Sequence, residues 1–240
     1  MSRPPAASAA VPRRVALVAG GGSGLGAAVV QAFARRGWAV AIHAHASFAA
    51  ARAAAETLVV AGVPALAVTA DLREEGPARV VVRRVADHFG RLDALVSCVA
   101  VRREMPLAEL AADDLRFCLD VGLVGTVVLA QEAGAVMARQ ETGGTILLVT
   151  DADAADPRPG NLAGVLVAGA IPVAASGLAA EFAGSRVRVQ AFGPTAVPAT
   201  EEAAGIVALV ESLAAPPAGG GSGPVPVVTP PRSPPVAGES

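Results

Sequence analysis

The chain contains no tyrosine, so no phenol is available in it as a proton donor. Cysteine is limited to Cys98 and Cys118; with no secretion signal, two thiols are expected to be reduced and mostly buried rather than joined in a disulfide. The three histidines, His43, His45 and His88, do not recur at a metal-ligand spacing, and no zinc or iron site is expected. Charged residues are only 17% of the chain and the net charge is −2, which leaves neither the basic field of a nucleic-acid binder nor an acidic tail aimed at a basic partner. Apolar residues reach 53%, but they are largely Ala and Val in short runs, and no stretch is expected to attain the ~20 residues that span a bilayer. The N-terminal MSRPPAASAAVPRR has no apolar h-region. Residues 1–12 are therefore expected to form a disordered leader, and the protein to be cytoplasmic.

What is present is organised around Arg14 to Ala44. An apolar run, Val15 to Ala19, ends in Gly20, Gly21, Gly22, Ser23, Gly24, Leu25 and Gly26, and a helical period follows through Ala27, Val30, Phe33 and Ala34. A strand feeding a helix through such a turn brings backbone N–H groups and a helix N-terminus against an anion, usually a dinucleotide pyrophosphate. Strands are expected near 15–19, 38–43, 64–69, 93–98, 144–150, 186–192 and 224–228. VALVA, AVAIH, ALVSCV, TILLVT and VRVQAF are continuous apolar runs, as parallel strands covered on both faces require. With helices in the intervals, 240 residues make one α/β domain, residues 13–230, with a doubly wound seven-stranded parallel sheet. Residues 231–240 read as a disordered proline-rich tail.

No register of the glycines gives Gly-x-Gly-x-x-Gly. Gly20, Gly24 and Gly26 give Gly-x-x-x-Gly-x-Gly, which resembles the short-chain dehydrogenase/reductase family and its Rossmann-like fold. The resemblance covers about residues 13–230. It implies cofactor contacts from Gly20, Ser23, Gly24, Leu25 and Gly26, from Asp71 to the adenine amino group, and from Leu72 against the ring. A loop carboxylate or helix N-cap is the alternative for Asp71. After the second strand, IHAHAS carries no acidic residue to select NAD. His43, His45 and Ser47 could approach a 2′-phosphate, similar to the His-x-His-x-Ser stretch of pteridine reductases, although that branch's Arg is Ala46 here. NADP(H) is expected over NAD, with plain surface histidines as the alternative, and no metal.

Farther along, the chain departs from the family. Ser97, Cys98, Val99 and Ala100 stand where the family carries Asn-Asn-Ala-Gly. Gly122, between Val121 and Leu123, takes the slot of an Asn that bends the helix and holds a relay water; glycine permits a bend but cannot hold the water. Asp151 stands at the catalytic Ser, Gly164 at Tyr and Ala168 at Lys, and no local realignment repairs this, because this region has no lysine. In the family the Tyr hydroxyl protonates the alkoxide formed by hydride transfer, with its pKa lowered by the Lys. An ionised Asp151 would oppose a developing oxyanion. A protonated one needs burial or a like-charge neighbour such as Asp153 or Asp156, and a solvated loop or a cation site are further readings of that cluster. Pro194 and Thr195 follow the sixth strand, and only about half a dozen residues separate it from a helix near Glu201, too few for the family's substrate lid.

The helix from about 161 to 183 is almost uncharged, is interrupted by Pro172, and is apolar on all faces, so it must be buried on all faces. The resemblance implies that it and the helix near 113–138 pack against another subunit, in a homo-oligomer or with an active family member. The leading expectation is a non-catalytic or nucleotide-binding subunit. The alternatives are an atypical enzyme of this fold (cyclase, isomerase, lyase or NADP-dependent oxidoreductase) acting through Asp151 or substrate groups, and a regulatory module that responds to NADP.

Overall fold

The computed structural model describes residues 13–101, 103–150, 157–193 and 198–214. Six strands, β1 (Val15–Ala19), β2 (Ala39–His43), β3 (Ala65–Val68), β4 (Ala94–Ser97), β5 (Gly144–Val149) and β6 (Val187–Phe192), form one parallel sheet in the order β3-β2-β1-β4-β5-β6. The expected strand at 224–228, like the leader, the tail, Asp151, Asp153, Asp156, Pro194 and Thr195, lies outside the described residues. β1, β2 and β4 are buried at every position, the environment that their unbroken apolar sequences require.

Helices cover both faces. On one side α3 (Glu75–Phe89), α5 (Gly125–Ala138) and α6 (Leu162–Glu181) bury Val82, Leu129, Ala133 and Ile171 against the sheet. On the other, α1 (Gly24–Arg35), α2 (Phe48–Val60) and α7 (Ala199–Ala214) bury Val30, Phe33, Leu58 and Ile206. Ala19 pairs with both His43 and Ser97, so the C-terminal ends of β2, β1 and β4 lie level. The strand order reverses between β1 and β4, and there the connections part to opposite faces and leave a crevice at that edge.

Two expectations about helices need correction. Pro172 does not interrupt α6, which is helical through it from Leu162 to Glu181. Proline supplies no N–H to the carbonyl four residues back, and the Ala168 oxygen so deprived accepts the Thr150 hydroxyl at 2.7 Å instead. Second, Ala112–Ala138 and Leu162–Glu181 are both long and apolar enough to cross a bilayer by length and composition, with mean hydropathies of 1.6 and 2.0. The short-run argument failed because Ala and Gly separate the larger apolar residues without introducing charge. A buried helix of an α/β protein meets the same criteria, and 56% of the first window is buried, against 28% of the second.

The segment Ala112–Ala138 is α4 (Ala112–Leu119), a π-helical turn (Asp120–Val124) and α5 in continuous succession. Gly122 lies in that turn. The extra residue of a π turn shifts the helix, so Phe117 of α4 and Val121 of the turn reach the crevice while α5 packs on the sheet.

Candidate functional site

The crevice is a cleft of about 800 Å³ at the C-terminal edge of the sheet. All nine residues expected to contact a cofactor, Gly20, Ser23, Gly24, Leu25, Gly26, His45, Ser47, Asp71 and Leu72, line it. Its floor is the turn from β1 to α1. Gly20 has φ +76° and lies under the Cys98 carbonyl, which a Cβ would approach to 2.7 Å, and a Cβ on Gly26 would collide with the Gly20 carbonyl oxygen. Both positions must be glycine for α1 to start this close to the sheet. A Cβ at Gly24 would meet nothing within 4 Å, so that backbone faces open space. Ser23, the N-cap, makes no side-chain cap bond and the first turn of α1 carries no acidic residue. An anion at this helix start would find the positive end of the helix dipole unopposed.

One end of the cleft is polar. His43, 2% exposed, donates Nε2–H to the Ala70 carbonyl at 3.2 Å, which ties the end of β2 to the loop after β3. Its Nδ1 is buried without a hydrogen-bond partner among the described residues. Burial holds the His43 pKa below 6.5, partly offset by the Ala70 bond. His45 is exposed and Ser47 half-buried, with the Ser47 hydroxyl against Gly22.

Asp71 is neither free nor a helix cap. Its Oδ1 accepts the Arg73 backbone N–H at 3.0 Å and Arg73 Nε at 3.0 Å, and its Oδ2 accepts Nε at 2.9 Å and Nη2 at 2.5 Å. The Arg73 guanidinium holds the Asp71 carboxyl down to about 2. Arg73 also lies over the Phe117 ring, 5.3 Å from its centroid, and Arg103 lies 4.3 Å from the same centroid while pairing with Asp114 at 2.5 Å. A line of contacts thus runs from the loop after β3 to α4.

The other end is apolar. Val99, Val101, Phe117, Val121, Val149, Val167 and Ile171 line it. Gly164 and Ala168 are in this wall; Gly122 is behind it, and a Cβ there would come within 2.6 Å of Val167 Cγ1. Val167 fills the space into which a side chain at 122 would project, and the Asn161 side chain fills the space at 164. Ser97 turns inward, its hydroxyl 3.2 Å from that of Thr126. Burial, then the nearby Glu202 charge, pushes the Cys98 thiol up to about 12. Thr150 spends its hydroxyl on α6. Among the described residues no group of three or more His, Cys, Asp or Glu could hold a metal ion.

Arg73, Phe117, Val167 and Asn161 were not anticipated. Arg73 was within reach, standing two residues beyond Asp71. The other three act through contacts between elements that no local pattern reports.

With a parallel sheet wound on both faces and a glycine turn at its reversal point, the chain is a dinucleotide-fold protein, and it belongs to the short-chain dehydrogenase/reductase family: the profile described as short chain dehydrogenase matches residues 14–208. It is 32% identical to an uncharacterised oxidoreductase of Methylorubrum extorquens over 75% of this chain and 72% of that one. It is 31% identical to a D-threitol dehydrogenase of Mycolicibacterium smegmatis over 77% and 70% of the two chains. Among solved structures, a Burkholderia cenocepacia short chain dehydrogenase in complex with NADP superposes with a TM-score of 0.73 at 26% identity, covering 85% of this chain and 91% of that one.

Proposed function

We propose that this family member binds NADP(H) without running the family's usual proton relay, and serves as a subunit of an oligomer. The observation that carries the reading is the contrast within one cleft, a polar adenosine end joined to an open helix start and a largely apolar reactive end in which Gly164 and Ala168 stand at the Tyr and Lys positions. Gly24, Leu25 and the α1 N-terminus would hold the pyrophosphate, and Asp71, Leu72, His45 and Ser47 the adenosine. Bound there, the cofactor would supply or accept a hydride. The protein's share of such a reaction is a positioned proton, and the Tyr and Lys positions hold Gly164 and Ala168. The chain has no tyrosine and no lysine, and its nineteen arginines do not give up a proton near neutrality.

The NADP complex of the Burkholderia relative supports the choice of cofactor. Calorimetric titration of the purified chain with NADPH, NADP and NADH, with Gly24→Glu as the blocked control, tests it. Micromolar binding that the control loses is expected; binding of none of them refutes the nucleotide reading.

For the subunit part, Leu162, Leu166 and Val173 on α6 and Val124 at the π turn are 43%, 46%, 73% and 49% exposed, an apolar face suited to a second copy or to an active family subunit. Light scattering is expected to give a multiple of 23.6 kDa, reduced toward that mass by Leu166→Glu with Val173→Glu. A monomeric unmodified chain with no co-purifying partner refutes it.

A second reading, an oxidoreductase of altered chemistry, is favoured by relatives named as dehydrogenases and reductases. It places the proton on Asp151 or on the substrate. Asp151→Asn then abolishes turnover, and an unchanged rate removes Asp151 from the mechanism.

A further inference from the structure

We propose that Arg73 reads the 2′-phosphate of a bound adenosine, exchanging its pairing with Asp71 for the phosphate as the nucleotide enters. The inference deepens the nucleotide-binding reading above and rests on it. A 2′-phosphate is a dianion near neutrality, and holding it in a partly apolar cleft calls for a permanent cation. Among the described residues that line the cleft Arg73 is the one arginine, and the chain has no lysine. His45 and Ser47, at the same end, can hydrogen-bond a phosphate but bring no permanent charge.

Place and mobility fit the task. Arg73 belongs to the loop after β3, which His43 ties to the end of β2 through the Ala70 carbonyl. Its side chain is 48% exposed and that of Asp71 is 16% exposed. The guanidinium is held by the Asp71 carboxylate and the face of Phe117, contacts that a long side chain can leave by rotating. A 2′-phosphate offers the guanidinium two parallel charge-assisted bonds and more negative charge than the single Asp71 carboxylate, which favours the exchange toward the phosphate. It also releases Asp71, both of whose oxygens Arg73 occupies, as an acceptor beside the adenine. One rotation thus completes the phosphate contact and the base contact together.

The test uses the full chain and two probes that differ only in the 2′-phosphate, adenosine 2′,5′-bisphosphate and 5′-AMP, titrated by calorimetry into the unmodified protein, Arg73→Ala and Arg73→Lys. The unmodified protein is expected to favour the bisphosphate. Arg73→Ala is expected to weaken the bisphosphate about tenfold or more and to change 5′-AMP less than about threefold, and Arg73→Lys to recover part of the difference. Since 5′-AMP binding reports an intact cleft, a folding defect in Arg73→Ala would show as loss of both probes, and Arg73→Lys then decides: a bisphosphate preference reduced but still present supports the assignment, and one unaltered or wholly lost overturns it. If the unmodified protein binds both probes equally, the assignment is overturned while the nucleotide reading survives. If it binds neither, both are overturned.

Discussion

Removing the Thr150 hydroxyl should unsettle a helix in which Thr150 does not reside. Pro172 leaves the Ala168 carbonyl without its helical donor, and the Thr150 hydroxyl replaces that donor at 2.7 Å. Thr150→Val keeps the shape and deletes the bond, leaving a carbonyl in the interior of α6 unpaired; such a group costs about 1–3 kcal/mol. Taking about 2 kcal/mol for this partly buried position, and about 2–4 °C per kcal/mol for a domain of this size, the melting temperature should fall by roughly 4–8 °C. Pro172→Ala restores a backbone donor to the same carbonyl and removes a residue that is poor in helix interiors by up to about 3 kcal/mol. In that background Thr150→Val should cost less than about 0.5 kcal/mol, giving a coupling energy of about 1.5 kcal/mol between residues 150 and 172. Scanning calorimetry and urea titration of the four proteins measure it. Equal costs of Thr150→Val in both backgrounds would refute the exchange of donors.

Gly122→Asn should destabilise the chain by about 1–3 kcal/mol, because its Cβ would come within 2.6 Å of Val167 Cγ1; adding Val167→Ala should recover at least half of that in urea titrations, and no recovery would mean that Val167 is not the obstacle. His43 gives a pH dependence. Burial holds its pKa below 6.5, so as pH falls below about 6.5 the unfolded chain binds a proton that the folded chain refuses, and stability declines toward pH 5 by at most about 1.4 kcal/mol per unit. Urea midpoints at pH 7, 6 and 5 should show a shallower decline in His43→Gln, whatever its absolute stability, and parallel slopes would rule His43 out. Cys98 lines the cleft half-buried, and with its thiol pushed up to about 12 it is about one part in ten thousand thiolate at pH 8; iodoacetamide should leave it unmodified over hours in the folded protein and alkylate it in urea, and rapid native labelling would contradict the raised pKa.

The sheet was legible because each parallel strand buried on both faces is a continuous apolar run, and VALVA, AVAIH and TILLVT contain no residue that another element could claim. The glycine turn was legible for a related reason, since Gly20 and Gly26 sit where backbones touch and no other residue fits. The reading of Pro172 failed on a bond that joins it to nothing nearby in sequence: the hydroxyl that makes the proline tolerable comes from residue 150. Asp71 was placed at the right end of the cleft, but its occupation by Arg73 was hidden, because an arginine just ahead of an acidic helix start looks like a solvated charge. Val167 and Asn161 were read as part of an apolar helix and its start. That they fill the spaces at Gly122 and Gly164 follows only from how α6 sits against the π turn and on itself.

The two ends of the cleft carry unequal weight as evidence of function. Gly20 and Gly26 are required by packing whether or not anything binds, because the first passes under the Cys98 carbonyl and the second under Gly20 itself; an empty scaffold would need them equally. Gly24 has φ +52°, which also favours glycine whether or not anything binds, but a side chain there would meet nothing, and packing gives no reason for the open space before it. Asp71 and Arg73 differ in the same way. Their pair lies within the loop after β3, and only the stacking of Arg73 on Phe117 reaches another element. The elements that form this end, β1 to β3 with α1, are distinct from β5, α4, the π turn and α6, which form most of the apolar end, so a largely apolar reactive end places no strain on the adenosine end. The proposed reading, a nucleotide held without turnover, is compatible with this fold, and it rests on the open space before Gly24 and on Asp71 and Arg73 rather than on the number of glycines in the turn.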